Sequence, residues 1–217
     1  FADQAAIAIE NARLLTELQA KNTDLTEALE QQTATSEILR AISQSQTDAQ
    51  PVFEIIGERA GRLCEAEVSV VSIFDGELLH LAASNGVAEA GVRLVREAFP
   101  MRPDSDTITS RAFRTRAVLH VPDVLAEQHF ETTASHQASG FRSCLGVPML
   151  REGKVIGVIF LARTKAEPYA DSQIELVKTF ADQAVIAVEN ARLFSELQAR
   201  TSELTRSVQE LRALGEV

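Results

Sequence analysis

The chain has 217 residues, 45% hydrophobic and 24% charged, which suits one ordinary domain with accessory elements and excludes a disordered or collagen-like polymer. Twenty-one Lys and Arg against 31 Asp and Glu give a formal net charge of −10, which argues against nucleic acid or an anionic membrane as partner, since both reward basic surfaces. Two cysteines, Cys64 and Cys144, rule out a disulfide scaffold or a four-cysteine zinc site. The apolar runs fall far short of the roughly 20 residues of a membrane-spanning helix. No secretory leader is visible and the chain begins at Phe1 without Met, so the expectation is a cytoplasmic piece of something longer.

The two ends repeat each other. FADQAAIAIENARLLTELQA (Phe1–Ala20) returns as FADQAVIAVENARLFSELQA (Phe180–Ala199), offset by 179, with only four of twenty positions different: Ala6/Val185, Ile9/Val188, Leu15/Phe194 and Thr16/Ser195. Such a repeat predicts tandem units of similar length, this chain holding one complete unit preceded by the last helix of another. Neither stretch contains Gly or Pro, and both are rich in good helix formers. Leu197, Leu204 and Leu211 fall at heptad position a and Leu193 and Leu214 at d, with Arg200 and Ser207 interrupting d. In the same register Leu18 and Leu25 are a and Leu14 is d, while Asn11 and Asn190 also take a. The apolar face extends into position e, wider than a strict two-stranded zipper. It predicts helices that associate as a homodimer through Leu14, Leu18, Leu25, Leu193, Leu197, Leu204, Leu211 and Leu214.

Between the repeats the elements follow in order. Thr47 or Asp48 caps a helix with Pro51 in its first turn and a stripe of Val52, Ile56, Ala60, Leu63 and Cys64. The β-branched run Val68–Phe74 is a strand. Asp75-Gly76 signals a hairpin, and Leu78–Ser84 returns antiparallel until Asn85-Gly86 ends it. Val87–Phe99 reads as a short helix stopped by Pro100. A loop then leads to a helix from Asp106 or Thr107 through Arg114, and Ala117–Val121 is a short strand. Val124–Gly140 is less regular. Ser143–Leu150 and Lys154–Arg163 are strands joined by Arg151-Glu152-Gly153 as a three-residue hairpin. Ser172 and Glu175 form a capping box that opens an unbroken final helix to about Leu214. The fold class is α+β: an antiparallel five- or six-stranded sheet, terminal helices on one face, short helices and loops on the other, and long coiled-coil-like helices flanking it.

Four segments, QPVFEIIGERAGRLCEAE, VSIFDGELLHLAA, FRSCLGVPMLREGKVIGVIFLAR and DSQIELVKTFADQAVIAVENARLF, resemble those of a GAF domain, a sensor module of bacterial signalling proteins. The resemblance implies a signalling helix over 1–46, a GAF domain over 47–190 and a linker helix over 191–217. With the repeat, it points to a tandem-GAF protein of the sensor histidine kinase or nucleotide cyclase type. It also implies a ligand pocket on the sheet face opposite the terminal helices, surrounded by Phe99, Thr107, Ile108, Arg111, Phe130, Phe141 and Cys144. Arg111 and Arg142 are the obvious cations there for an anionic ligand.

The sequence carries no Walker or dinucleotide glycine loop, no GxSxG and no HExxH. Some GAF domains reduce free methionine sulfoxide through several cysteines, but neither Cys64 nor Cys144 has a second thiol nearby in sequence, as turnover would need. The cyclic-nucleotide pattern of the family is replaced by Arg163-Thr164, Tyr169 and Gln173-Ile174. Neither cysteine precedes a histidine, as covalent bilin attachment would require. His80, His120, His129 and His136 form no i,i+4 pair, so no metal is expected, and no particular cofactor is indicated. Alternation in Ser143–Leu150 sends Leu145, Val147 and Met149 toward the helices and Arg142, Cys144, Gly146 and Pro148 the other way, leaving room beside the sheet. Two functions follow: a non-enzymatic sensor that binds a small molecule or relays through its dimer helices, or a ligand-free spacer whose phenylalanines fill that room.

Overall fold

The computed structural model describes residues 2–45, 47–86, 95–126 and 140–215; within these ranges the side chains of residues 2, 3, 5, 6, 8 and 208–215 lie outside the description. The chain divides into two compact units, Phe1–Glu37 and Ile38–Val217. The first lies within helix α1 (Ala2–Gln44). Its leucines are exposed, Leu14, Leu18 and Leu25 among them, and Arg13 bridges Glu10 and Glu17 along its surface.

The second unit holds the last turns of α1, where Ile38, Ala41 and Ile42 are buried, and everything after them. Helix α2 (Gln50–Leu63) buries Val52, Phe53, Ile56, Gly57, Ala60 and Gly61 at helical spacing. Asp48 serves its first turn by accepting the Gln50 N–H at 2.8 Å, although the N-cap position itself is Ala49. Strands β1 (Val68–Phe74) and β2 (Leu79–Gly86) form the expected hairpin. Its loop is longer than Asp75-Gly76 alone: Asp75 Oδ1 accepts the N–H groups of Glu77 and Leu78 at 2.8 and 2.9 Å, so Leu78 belongs to the turn. At the far end Asn85 and Gly86 stay paired to Ser69 and Val68 and extend β2 rather than ending it.

Helix α3 (Ile108–Thr115) starts where expected, with the Thr107 hydroxyl accepting the Ser110 N–H. Strands β3 (Leu119–Val121), β4 (Ser143–Arg151) and β5 (Lys154–Arg163) complete a five-stranded antiparallel sheet in the order β2-β1-β5-β4-β3. The β4–β5 connection is tighter than a three-residue hairpin. Arg151 pairs with Lys154, leaving Glu152 and Gly153, both at positive φ (51° and 76°), as a two-residue turn. That turn's backbone twist matches that of the strands it joins.

Helix α4 (Asp171–Gly215) is one helix of 45 residues. Its first turn is not capped by Ser172 and Glu175. Ala170 precedes the helix, and Gln173 reaches back so that its Oε1 accepts the Ala170 N–H at 3.1 Å, the N3 half of a capping box moved two residues upstream. A stripe of Leu176, Val177, Phe180, Ala181, Ala184 and Ala187 is buried, the i,i+3/i+4 spacing of a helix laid on a sheet. Past residue 190 the described side chains are half-buried or exposed.

Helices α2 and α4 pack on one face of the sheet and α3 on the other. Gly57 of α2 lies against Asn85, Ser69 and Val71, and Gly61 against Ser69. On the opposite face Gly146 of β4 lies against Ile108 and Ala112 of α3, where its missing β-carbon leaves room for the helix. Strand alternation therefore gives the helices their Leu145, Val147 and Met149 face, and gives α3 the face with Cys144 and Gly146, as the sequence pattern predicts.

Candidate functional site

The α3 face gathers one apolar cluster. Val68 and Val70 of β1, Ile108 of α3, Val121 of β3, Val124, Cys144 of β4, and Phe160 and Ala162 of β5 are buried together, and Leu81, Val95, Phe99, Leu119 and Phe141 pack against them. Four of the expected site residues, Phe99, Ile108, Phe141 and Cys144, thus meet on this face. The Phe141 and Phe160 rings cross edge to face at 6.5 Å between centroids, a favourable aromatic geometry. Phe130 lies outside the described residues.

The polar members have partners. Thr107 caps α3 and donates its hydroxyl to the Met101 sulfur at 3.1 Å. Arg142 grips Asp123 with two parallel bonds of 2.8 and 2.6 Å, holding the segment after β3 against the start of β4. The guanidinium holds the Asp123 carboxyl below its ordinary range. Arg142 is therefore engaged by a carboxylate of its own chain rather than held open for an anion. Arg111 is half-buried on α3 and is engaged in interactions of its own.

Both thiols are buried, and burial pushes each up to about 12. Cys64 follows the last residue of α2, one position beyond the helix that the apolar stripe suggests. Cys144 faces α3. Thiolate chemistry needs the opposite environment, a partly exposed thiol with a depressed pKa. We expect neither cysteine of the native protein to react with a thiol-specific reagent at pH 8 on a timescale of minutes, and both to react once urea is added. Rapid labelling in the native state would contradict this burial.

The two described histidines, His80 and His120, each have a partner within the fold. His80 Nε2 lies 2.7 Å from Asp75 Oδ2 across the hairpin loop, and His120 Nε2 accepts the Tyr169 N–H at 3.0 Å. Desolvation, with the charge of Arg163 as a second cause, lowers the His120 pKa. His129 and His136 lie outside the described residues. Among the described residues no three His, Cys, Asp or Glu side chains gather as a metal site would need.

A second constellation, which the sequence pattern does not single out, lies at the end of β5. Arg163 is buried, donates its Nε–H to the Cys64 carbonyl at 3.0 Å and bonds Gln173 Oε1 through Nη2 at 2.9 Å. Its guanidinium carbon stands 4.1 Å from the Tyr169 ring centroid, a cation–π distance. Arg163, Tyr169 and Gln173 occupy the stretch where the cyclic-nucleotide pattern is missing. There they tie the end of α2, the end of β5 and the start of α4 together.

The fold now meets its relatives. The GAF domain profile matches residues 48–188. The chain belongs to the GAF domain family. It is similar to the GAF domain/HD domain protein from Geobacter sulfurreducens at 23% identity, covering 68% of this chain and 96% of that one with a TM-score of 0.59. The GAF domain of a phosphoenolpyruvate-protein phosphotransferase from Coxiella burnetii gives 12% identity, 78% and 98% coverage and a TM-score of 0.65. The free methionine-R-sulfoxide reductase from Neisseria meningitidis, solved with its substrate, gives 17%, 77%, 93% and 0.61. At these identities the likeness is one of fold. GAF domains are sensory and regulatory modules as a family, and no helix of this GAF domain's described residues is long and apolar enough to cross a membrane.

Proposed function

We propose that this GAF domain is a non-enzymatic relay that works as a homodimer, its long helices carrying a signal to an output domain of the kinase or cyclase kind. The observation that carries the reading is the division of labour within α4. Its first half is buried in the sheet packing through Phe180, Ala184 and Ala187. The same rigid helix then presents Leu193, Leu197 and Leu204 at 49%, 62% and 67% exposure. Leucines left bare at heptad spacing bury themselves when two such helices meet. A groove of about 420 Å³ lined by Ile42, Ser43, Asn190, Leu193, Phe194 and Leu197 lies at the base of this stretch. In α1, Leu14, Leu18 and Leu25 form the matching seam; Leu211 and Leu214 continue the α4 heptads beyond the described side chains.

A displacement at the sheet reaches the far end of α4 only as a shift, rotation or register change of the rod. Polar d positions keep that change inexpensive: Arg200 pairs with Glu196 at 3.1 Å on the helix's own surface, and Ser207 is exposed. The apolar filling of the α3 face by Phe99, Phe141 and Phe160 supports a relay driven by contacts. It equally suits a ligand-free spacer, which would hold the dimer without changing state. A small-molecule ligand, if one binds, belongs on that face.

Sedimentation tests the dimer. Leu193→Glu with Leu197→Glu should weaken association by at least about a hundredfold, because two carboxylates would be desolvated in an apolar seam. Arg200→Leu with Ser207→Leu should tighten it. An unchanged dimer in the glutamate variant overturns the seam. A parent protein whose output is the same with and without the leucine pair reduces the domain to a spacer.

A further inference from the structure

We propose that the protein binds one water molecule between the sheet and the segment that enters α4, held by the hydroxyls of Tyr169 and Ser143 and by Nη1 of Arg163. The site does not depend on the relay reading. Both hydroxyl residues are buried, Tyr169 at 3% exposure and Ser143 at 0%. Neither hydroxyl oxygen has a hydrogen-bond partner among the described residues. A buried hydroxyl without a partner is destabilising, and in folded proteins such groups are satisfied by other protein atoms or by ordered water.

The fold brings the two hydroxyls together. In the strand order β4 lies between β3 and β5. Tyr169 is held from both of those flanks. Its N–H donates to His120 Nε2 of β3 at 3.0 Å, and its ring meets the His120 ring edge-on at 5.8 Å. From the β5 side the Arg163 guanidinium stands 4.1 Å from its centroid. The ring therefore lies across β4. Ser143 is the β4 residue paired directly with Arg163, and directly paired residues send their side chains to the same face. On that face of β4 the positions that follow are Leu145, Val147 and Met149, all buried. The serine side chain is much shorter than these, which leaves depth beneath the phenol. Arg163 supplies the third group. Its Nε and Nη2 serve the Cys64 carbonyl and Gln173 Oε1, while Nη1 meets the Pro168 carbonyl at 3.5 Å, the far limit of a hydrogen bond. Two hydroxyls that can each donate or accept, with one cationic N–H, match the two to four polar partners of a buried water. A small anion suits the place less well, because the carboxylates of Glu67 and Asp171 act on Tyr169 and His120 from nearby. The water adds β4 to the elements that the Arg163 cluster ties together, α2, β5 and the start of α4.

Two experiments on the full chain test the proposal. The first is a double-mutant cycle read from urea unfolding. Tyr169→Phe and Ser143→Ala should each lower the folding equilibrium constant about fivefold, the typical loss of one hydrogen-bonded hydroxyl. Because both groups hold the same water, the double variant should lose less than about tenfold, where independent losses would multiply to about twenty-five. Ser69→Ala is the control. Its hydroxyl is also buried and without a hydrogen-bond partner among the described residues, but it lies on β1 against Gly57 and Gly61, so its effect should multiply in full with that of Tyr169→Phe. A Tyr169→Phe variant as stable as the unaltered protein, or more stable, overturns the proposal, since a phenol with no partner is better removed. Full multiplication with Ser143→Ala, or equal coupling to Ser69→Ala, overturns it as well. The second experiment reads the water itself, by oxygen-17 relaxation dispersion of the solvent. The unaltered protein should hold one more long-lived water than the Tyr169→Phe/Ser143→Ala variant. An equal number in both, or bromide found at this position in crystals grown from sodium bromide, overturns the assignment.

Discussion

Replacing Arg163 with Met should lower the stability of the domain by about 3 kcal/mol, the loss expected when buried acceptors are left without donors. Met matches the length and apolar stem of Arg, so the change leaves the packing nearly filled and removes mainly the fork of donors. The Cys64 carbonyl then loses its guanidinium, and Gln173 loses the partner that orients its amide beneath the first turn of α4. The Tyr169 ring loses the cation over its face. For a protein of this length such a loss lowers Tm by roughly 6–12 °C, readable by circular dichroism or a urea midpoint. Arg163→Lys should recover little, because one ammonium cannot reach two acceptors and stack on a ring at once. A Met variant as stable as the unaltered protein would show that the cluster is decoration. If the relay reading is right, the same variant should also loosen the start of α4 before the sheet opens, visible as faster amide exchange at residues 171–177 than in β5.

That cluster marks where the sequence ceases to be legible. Strand β5 is read correctly to the residue, Lys154–Arg163, because eight apolar or small residues between two charges, bounded by a glycine turn, allow little else. Nothing in the local pattern says that the terminal Arg163 is buried instead of solvated, since its closest acceptors come from residues 64 and 173. Periodicity reports which face a side chain takes, and is silent on distant backbone carbonyls. The missed caps share this cause. Ser172 and Glu175 have the right spacing for a capping box, yet the chain starts the helix earlier, where Gln173 serves Ala170 and Arg163 together. In the hairpin, Glu152 at positive φ is paid for by strand twist, a nonlocal term that moves Arg151 into the sheet.

The candidate site was legible in part for a related reason. Small residues at Cys144 and Gly146 mark a face where something lies close to the sheet, and the alternation places that face correctly. What lies there cannot be read from alternation alone: at Gly146 it is α3, through Ile108 and Ala112. The half-buried Arg142 looks like a ligand's anchor until Asp123 is found nineteen residues away in sequence and in its grip. The long helices were the most legible elements of all, because a heptad is local and each copy of the repeat confirms the other.

The second large effect is expected at Gly157. A methyl added there would fall inside van der Waals contact of the Ser72 carbonyl oxygen of β1 and the Met149 methyl of β4. The thioether can swing aside at small cost, because Met is flexible. The carbonyl cannot. It belongs to the backbone of a central strand, and Ser72 is further fixed by its hydroxyl, which donates to the Val158 carbonyl at 3.1 Å. Relief requires β1 and β5 to part where the sheet also carries the irregularity between Met149 and Leu150 in the β4–β5 register. Gly157→Ala should therefore cost about 3 kcal/mol or more, the upper end of overpacking penalties. Gly146→Ala provides the comparison. Its added carbon would stand 3.0 Å from Ile108 Cγ2 and 3.1 Å from Ala112 Cβ, side-chain atoms of a helix that can retreat by a few tenths of an ångström. That variant should lose only about 1 kcal/mol, the low end of the same range, and any ligand or partner acting on the α3 face should feel it more than the fold does. Urea midpoints of the two variants decide the matter: if Gly157→Ala is no worse than Gly146→Ala, the rigidity of the central strands is not what limits packing in this sheet.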